Sequence, residues 1–258
     1  MTPSSEWLRD IAHDLKIAVQ FCTRLPLGRD DAAGGADVAR SAWAIPLAGA
    51  LVGLLGALAY KLAYTLGIPP LPGAALTLAT TMVATGCLHE DGLADTADGF
   101  GGGTTREKKL DIMRDSRIGT YGTGALVLSV LTRASAIASL APALVMPALI
   151  AAHAAGRATM PILMWLVPPA RTDGLSADAS RVSRRTAAIA GSVGLIALAF
   201  AFEWTVSIAV ALLLLFAVGG MARLCAKQIG GQTGDVLGTL EQISEAAILL
   251  LAASLFAS

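Results

Sequence analysis

The segment with chemical potential is EDGLADTADGFGGG from Glu90, followed after Thr104 and Thr105 by REKKLDIMRDSRIGTYG. Asp91, Asp95 and Asp98 are spaced four and three apart, so a helix through them projects all three carboxylates from one face. Like charges on one face repel, and a cation between them removes the penalty. Hard oxygen donors suit Mg²⁺ or Mn²⁺ rather than a soft metal. The glycines from Gly99 to Gly103 then break the helix and let backbone approach a ligand, and Asp111 and Asp115 add two more carboxylates four residues apart. Arg106, Lys108, Lys109, Arg114 and Arg117 stand among them. Carboxylates for metal beside cations for phosphate oxygens are the parts required for transfer on a diphosphate.

Three further features belong to the same question. IGGQTGDVLG, residues 229–238, sets Asp235 in a second Gly-rich turn, where it serves either a ligand or simply the turn and the helix start opened by Glu241 and Glu245. Arg133 and Arg157 fall inside apolar stretches, so each needs a partner or an aqueous cavity; Arg157 is read as a phosphate or carboxylate partner, with structural pairing the rival role. His89, alone at the end of an apolar run, reads as an interfacial or supporting residue ahead of a ligand.

These residues must be positioned by a membrane protein. Of 258 residues, 55% are hydrophobic and 15% charged, and the mean hydropathy is +0.65, above the range of soluble domains. Stretches near 20 apolar residues predict seven spans, at 42–66, 72–88, 122–140, 143–167, 187–200, 205–219 and 245–256, or six if the short last three are over-counted. The expected fold is therefore an all-α polytopic bundle forming one domain over 1–258. With a cytoplasmic N-terminus, segments 1–40, 89–121, 168–186 and 221–244 share one side and hold 16 of the 19 Lys and Arg residues, as the positive-inside rule requires. The candidate segment 89–121 is then expected to face the cytoplasm. Trp7, Leu8, Ile11, Leu15, Ala18, Val19 and Cys22 recur at helical spacing, giving either an interfacial helix or a solvated lead-in within 1–40. No cleaved leader is expected at the N-terminus. Zero net charge argues against a nucleic-acid partner. Cys22, Cys87 and Cys225 have no metal-ligand or redox spacing.

The chain resembles the cobalamin synthase family, adenosylcobinamide-GDP ribazoletransferases, over its full length. FCTRLP at 21–26, the block 86–122, Arg157 and GGQTGDVLG carry the resemblance. It implies an Mg²⁺-using inner-membrane enzyme that joins adenosylcobinamide-GDP to α-ribazole or its 5′-phosphate and releases GMP. A fainter similarity, DxxDG then DxxxD at Asp95, Asp98, Asp111 and Asp115, is to CDP-alcohol phosphotransferases; Gly102, Gly103 and Glu107 depart from their pattern. On this reading Asp91, Asp95, Asp98 and Asp115 hold metal, Asp98 or Asp115 accepts the hydroxyl proton with Glu90 as second choice, and Arg106, Lys109, Asp111, Arg114, Arg117, Arg157 and Asp235 contact substrate. The rivals are a CDP-alcohol phosphotransferase acting on lipid and a transporter; against the latter, the acids lie at one surface and the predicted spans carry almost none. The number of copies, a homo-oligomer included, stays open.

Overall fold

The computed structural model describes residues 3–27, 34–171 and 182–256, and every element among them is helical. A surface helix α1 (Pro3–Cys22) precedes α2 (Gly35–Ser41), which runs through a 3-10 turn into α3 (Ile45–Thr65). Then follow α4 (Pro70–Thr85), α5 (Leu88–Gly102), the short α6 (Arg106–Ile112), α7 (Thr120–Ser139), α8 (Pro142–Leu166), α9 (Arg184–Ala201), α10 (Trp204–Ile229) and α11 (Gly234–Phe256).

Among the described residues, six stretches are long and apolar enough to cross a membrane: Gly35–Thr65, α7, α8, α9, α10 and α11. A seventh crossing exists only if α4 and α5 are taken together, and these meet at 90°. The expected span 72–88 is thereby corrected. Helix α4 stops at Thr85, because Gly86 and Cys87 both adopt left-handed backbone, with φ of 66° and 58°. Sixteen residues give only about 24 Å, short of a bilayer. The span expected at 245–256 is also corrected, since α11 starts eleven residues earlier and carries Glu241 and Glu245 inside it. Charge made the sequence reading end the span; burial with partners lets the helix continue.

Helix α8 is the central post, and α7, α9 and α10 leave most of their surface outward, as lipid-facing helices do. Gly49 and Gly53 of α3 form a GxxxG step against α8, where a Cβ on Gly53 would lie 2.5 Å from the Leu149 carbonyl oxygen.

Candidate active site

Helix α5 owes its place to two glycines. A Cβ on Gly92 would stand 2.9 Å from the Asp235 carbonyl oxygen, and one on Gly238 would stand 3.2 Å from the His89 Cα. Backbone thus meets backbone, and the Thr239 hydroxyl donates to the Gly92 carbonyl at 3.0 Å. The approach brings the start of α11 against the acidic edge of α5. Asp95 accordingly has Asp91, Asp235 and Asp98 as charged neighbours, with Arg171 as the opposing cation. Asp235 sits in the first turn of α11, where the exposed amides favour a carboxylate, and accepts from the Thr233 hydroxyl at 3.2 Å.

A cleft of about 750 Å³ opens beside this edge. Glu90, Asp91, Asp95, Arg114 and Asp115 line it together with apolar side chains of α7. The structure therefore brings five of the predicted site residues to one cleft. Asp98 lies to one side, buried, and its two oxygens accept the Gly119 amide at 2.7 Å and the Gly122 amide at 2.9 Å. It holds the start of α7, and those positions are glycine because the carboxylate leaves no space for a Cβ. Arg117 meets Asp115 through Nε at 3.0 Å and Nη2 at 2.6 Å. That guanidinium holds the exposed Asp115 carboxyl at about 2, below the usual carboxylate range.

The remaining cations are distributed differently. Arg106 donates to the carbonyls of Ile229 at 2.8 Å and Ala170 at 2.7 Å, and Lys109 donates to Gln228, so both fasten α6 to the end of α10. Asp111 is exposed on α6. The loop before α11 is clamped in turn: Gln232 and residues 168–170 exchange backbone bonds of 2.9 and 2.8 Å.

Beneath the cleft lies a buried polar network that the sequence did not reveal as a unit. Arg133 donates to Glu90 Oε1 at 3.2 Å and to Glu245 Oε1 at 3.1 Å. Arg157 reaches Glu241 at 2.5 Å, His153 Nδ1 at 2.9 Å and His89 Nδ1 at 3.3 Å. A guanidinium only donates, so an imidazole that meets it accepts at Nδ1; His153 Nδ1 also lies 3.2 Å from Glu245 Oε2, to which the other tautomer donates. Both Nε2 atoms are buried without a partner among the described residues. His89 is therefore interior and beside Arg157, in the supporting place its sequence position allowed and not the interfacial one. Arg133 and Arg157 were legible as needing partners; the acids of α11 were not legible as those partners. His153 gave no signal beyond its position four residues before Arg157.

Among the described residues one donor set is gathered tightly enough to hold a metal. His153, Glu241 and Glu245 place ligand atoms within 4.8 Å of one another, yet Arg133 and Arg157 already meet those carboxylates. Three buried carboxylates against two guanidiniums leave one negative charge, fewer than a divalent ion brings. Asp91 and Asp95 line the larger cleft with Asp235 a charged neighbour of Asp95, hard oxygen donors of the kind a divalent cation takes, although they are not gathered as tightly as His153, Glu241 and Glu245.

The model of one family, cobalamin-5-phosphate synthase, matches residues 14–253. The chain belongs to that family. Its relatives named adenosylcobinamide-GDP ribazoletransferase include one from Bradyrhizobium diazoefficiens, 54% identical and covering 98% of each chain. Others are from Mesorhizobium japonicum, 50% identical over 95% of this chain and 94% of that one, and from Azorhizobium caulinodans, 44% identical over 93% and 95%. No solved structure matches. Membership in the cobalamin-5-phosphate synthase family answers the transporter reading, which the buried charges of α11 would otherwise favour. Those charges are matched with one another across α5, α7, α8 and α11.

Proposed function

We propose that the chain is an adenosylcobinamide-GDP ribazoletransferase of a bacterial inner membrane, with the α5–α7 cleft facing the cytoplasm. The observation that carries the reading is the convergence of Asp91, Asp95, Arg114 and Asp115 on one cleft, with Asp235 brought against its edge, in a chain of this family. The orientation rests on the Lys and Arg asymmetry of the connections.

In this assignment Asp91, Asp95 and Asp235 hold Mg²⁺. When bound, the ion supplies positive charge to the diphosphate oxygens. Arg114 and Arg117 clamp the diphosphate, the planar guanidinium fork matching two oxygens at once. A ribose hydroxyl of α-ribazole or its 5′-phosphate attacks the phosphorus nearer the cobinamide. One O–P bond forms, the bond from that phosphorus to the bridging oxygen breaks, and GMP leaves with that oxygen. Asp115 takes the hydroxyl proton once Arg117 has turned from it to the substrate, which frees the carboxylate from the partner that keeps it so acidic. Asp98 has both oxygens engaged by amides and Glu90 is held by Arg133, so neither is assigned that proton.

The test is product analysis with purified protein in liposomes. Adenosylcobinamide-GDP plus α-ribazole should yield GMP, chelation should stop it, and added Mg²⁺ should restore it. CMP released from a CDP-lipid, or no turnover of either pair, would overturn the assignment.

A further inference from the structure

Two motifs are not exhausted by the chemistry above: FCTRLP at 21–26, and the GGQTGDVLG turn, of which only Asp235 has been used. They converge. The Arg24 amide donates to the Ala84 carbonyl at 2.7 Å, and the Arg24 side chain packs across Gly86, so the first motif is fixed at the α4–α5 break. From there Phe21 enters the wall of a second, smaller cavity of about 160 Å³, whose far side is the start of α11.

Asp91 borders both cavities, so the acidic edge of α5 is a partition between them. The linings differ in kind. The larger cavity carries Arg114 and Asp115. The smaller is walled by Phe21, Val38, Met160 and Met164, with His89, Asp91 and Asp235 as its polar members, and none of its lining residues is Lys or Arg. A dry apolar cavity of about 150 Å³ takes a benzene ring, so this one has room for a flat ring but not a nucleotide. Thioethers and an aromatic edge are favourable neighbours for such a ring. Three groups can answer a ring N–H, nitrogen or hydroxyl: the Asp91 and Asp235 carboxylates accept, and His89, 1% exposed with Nδ1 against Arg157, has no partner at Nε2 among the described residues.

We propose that this smaller cavity is the acceptor subsite, holding the apolar heteroaromatic base of α-ribazole so that its ribose emerges over Asp91 toward the diphosphate in the larger cleft. The inference rests on the ribazoletransferase reading and adds where each substrate sits. Attack then runs across the partition, from one cavity into the other, and the two substrates do not compete for space.

Steady-state kinetics with one substrate varied at a time tests this. Phe21→Ser and Met160→Gln should raise KM for α-ribazole tenfold or more while leaving KM for adenosylcobinamide-GDP within about twofold. Met160→Leu, which keeps the apolar wall, should stay near wild type. Equal rises for both substrates, or no rise for α-ribazole, would overturn the subsite. The unmutated protein provides a second measurement in case the variants fail to fold. Cys87 is exposed and lines the larger cleft, while Cys22 and Cys225 are buried. Adenosylcobinamide-GDP should slow maleimide labelling of Cys87 and α-ribazole alone should not; protection by α-ribazole would place it in the wrong cavity. Failure of the parent reading is distinguishable, because the wild-type protein would then release no GMP.

Discussion

At the scale of single residues, similar carboxylates have been given different work by their hydrogen-bond partners. Asp115 is on the surface with one mobile partner, Arg117, whose side chain is 86% exposed. A surface pair of this kind contributes little to stability, so Arg117→Lys should leave thermal unfolding nearly unchanged. It should nevertheless slow turnover by ten- to a hundredfold, about 1.4 to 2.7 kcal/mol of transition-state stabilisation, because a point charge cannot reproduce the fork. Near wild-type turnover would transfer the clamp to Arg114. Asp98 should behave in the opposite way. Its carboxylate satisfies two amides at the start of α7, and loss of such a cap costs about 0.5–2 kcal/mol. Asp98→Ala should therefore lower the unfolding temperature as well as the rate; lost turnover at full thermal stability would show that Asp98 acts on the reaction itself.

At the scale of elements, the site depends on how closely α5 can lie on α11. Gly92→Ala introduces a methyl 2.9 Å from the Asp235 carbonyl oxygen, a separation that backbone must relieve by moving. The expected result is a chain that still inserts and purifies but needs more Mg²⁺ for half-maximal rate, since Asp235 retreats from Asp91 and Asp95. An unchanged Mg²⁺ dependence would detach Asp235 from the metal. Much of this was legible in the sequence. The face shared by Asp91, Asp95 and Asp98 follows from helical spacing alone, and the spans at α3, α7 and α8 follow from apolar length. The 90° turn at Gly86 and Cys87 was not read from the sequence, because the apolar run continues through it to Leu88 and a single glycine was the local mark of the break. The true length of α11 was hidden for a different reason: Glu241 and Glu245 resemble a loop until Arg133 and Arg157, over 80 residues earlier in the chain, are known to meet them. Nor does spacing distinguish Asp98 from its neighbours, since the amides it serves come from the turn that follows α6.

At the scale of the whole molecule, orientation follows from charge. Reporters fused near Arg106 and Gln232 should sense the cytoplasm, and one near Pro70 the opposite side; a periplasmic signal from the Arg106 fusion would reverse the proposed topology.

The network beneath the cleft also has a consequence for how the protein is made. Ribosomes deliver α7 with Arg133 and α8 with Arg157 well before α11 exists. Each arginine near the middle of a span costs about 2.5–3.5 kcal/mol on insertion scales, and α7 and α8 must wait for α11 to bring Glu241 and Glu245. Until then Glu90 is the carboxylate within the network that Arg133 can reach, while the partners of Arg157 are two histidines. The network is thus completed late: α11, made after α5, α7 and α8, supplies the counter-charges that let the earlier helices settle, and it presses α5 into its working position in the same movement.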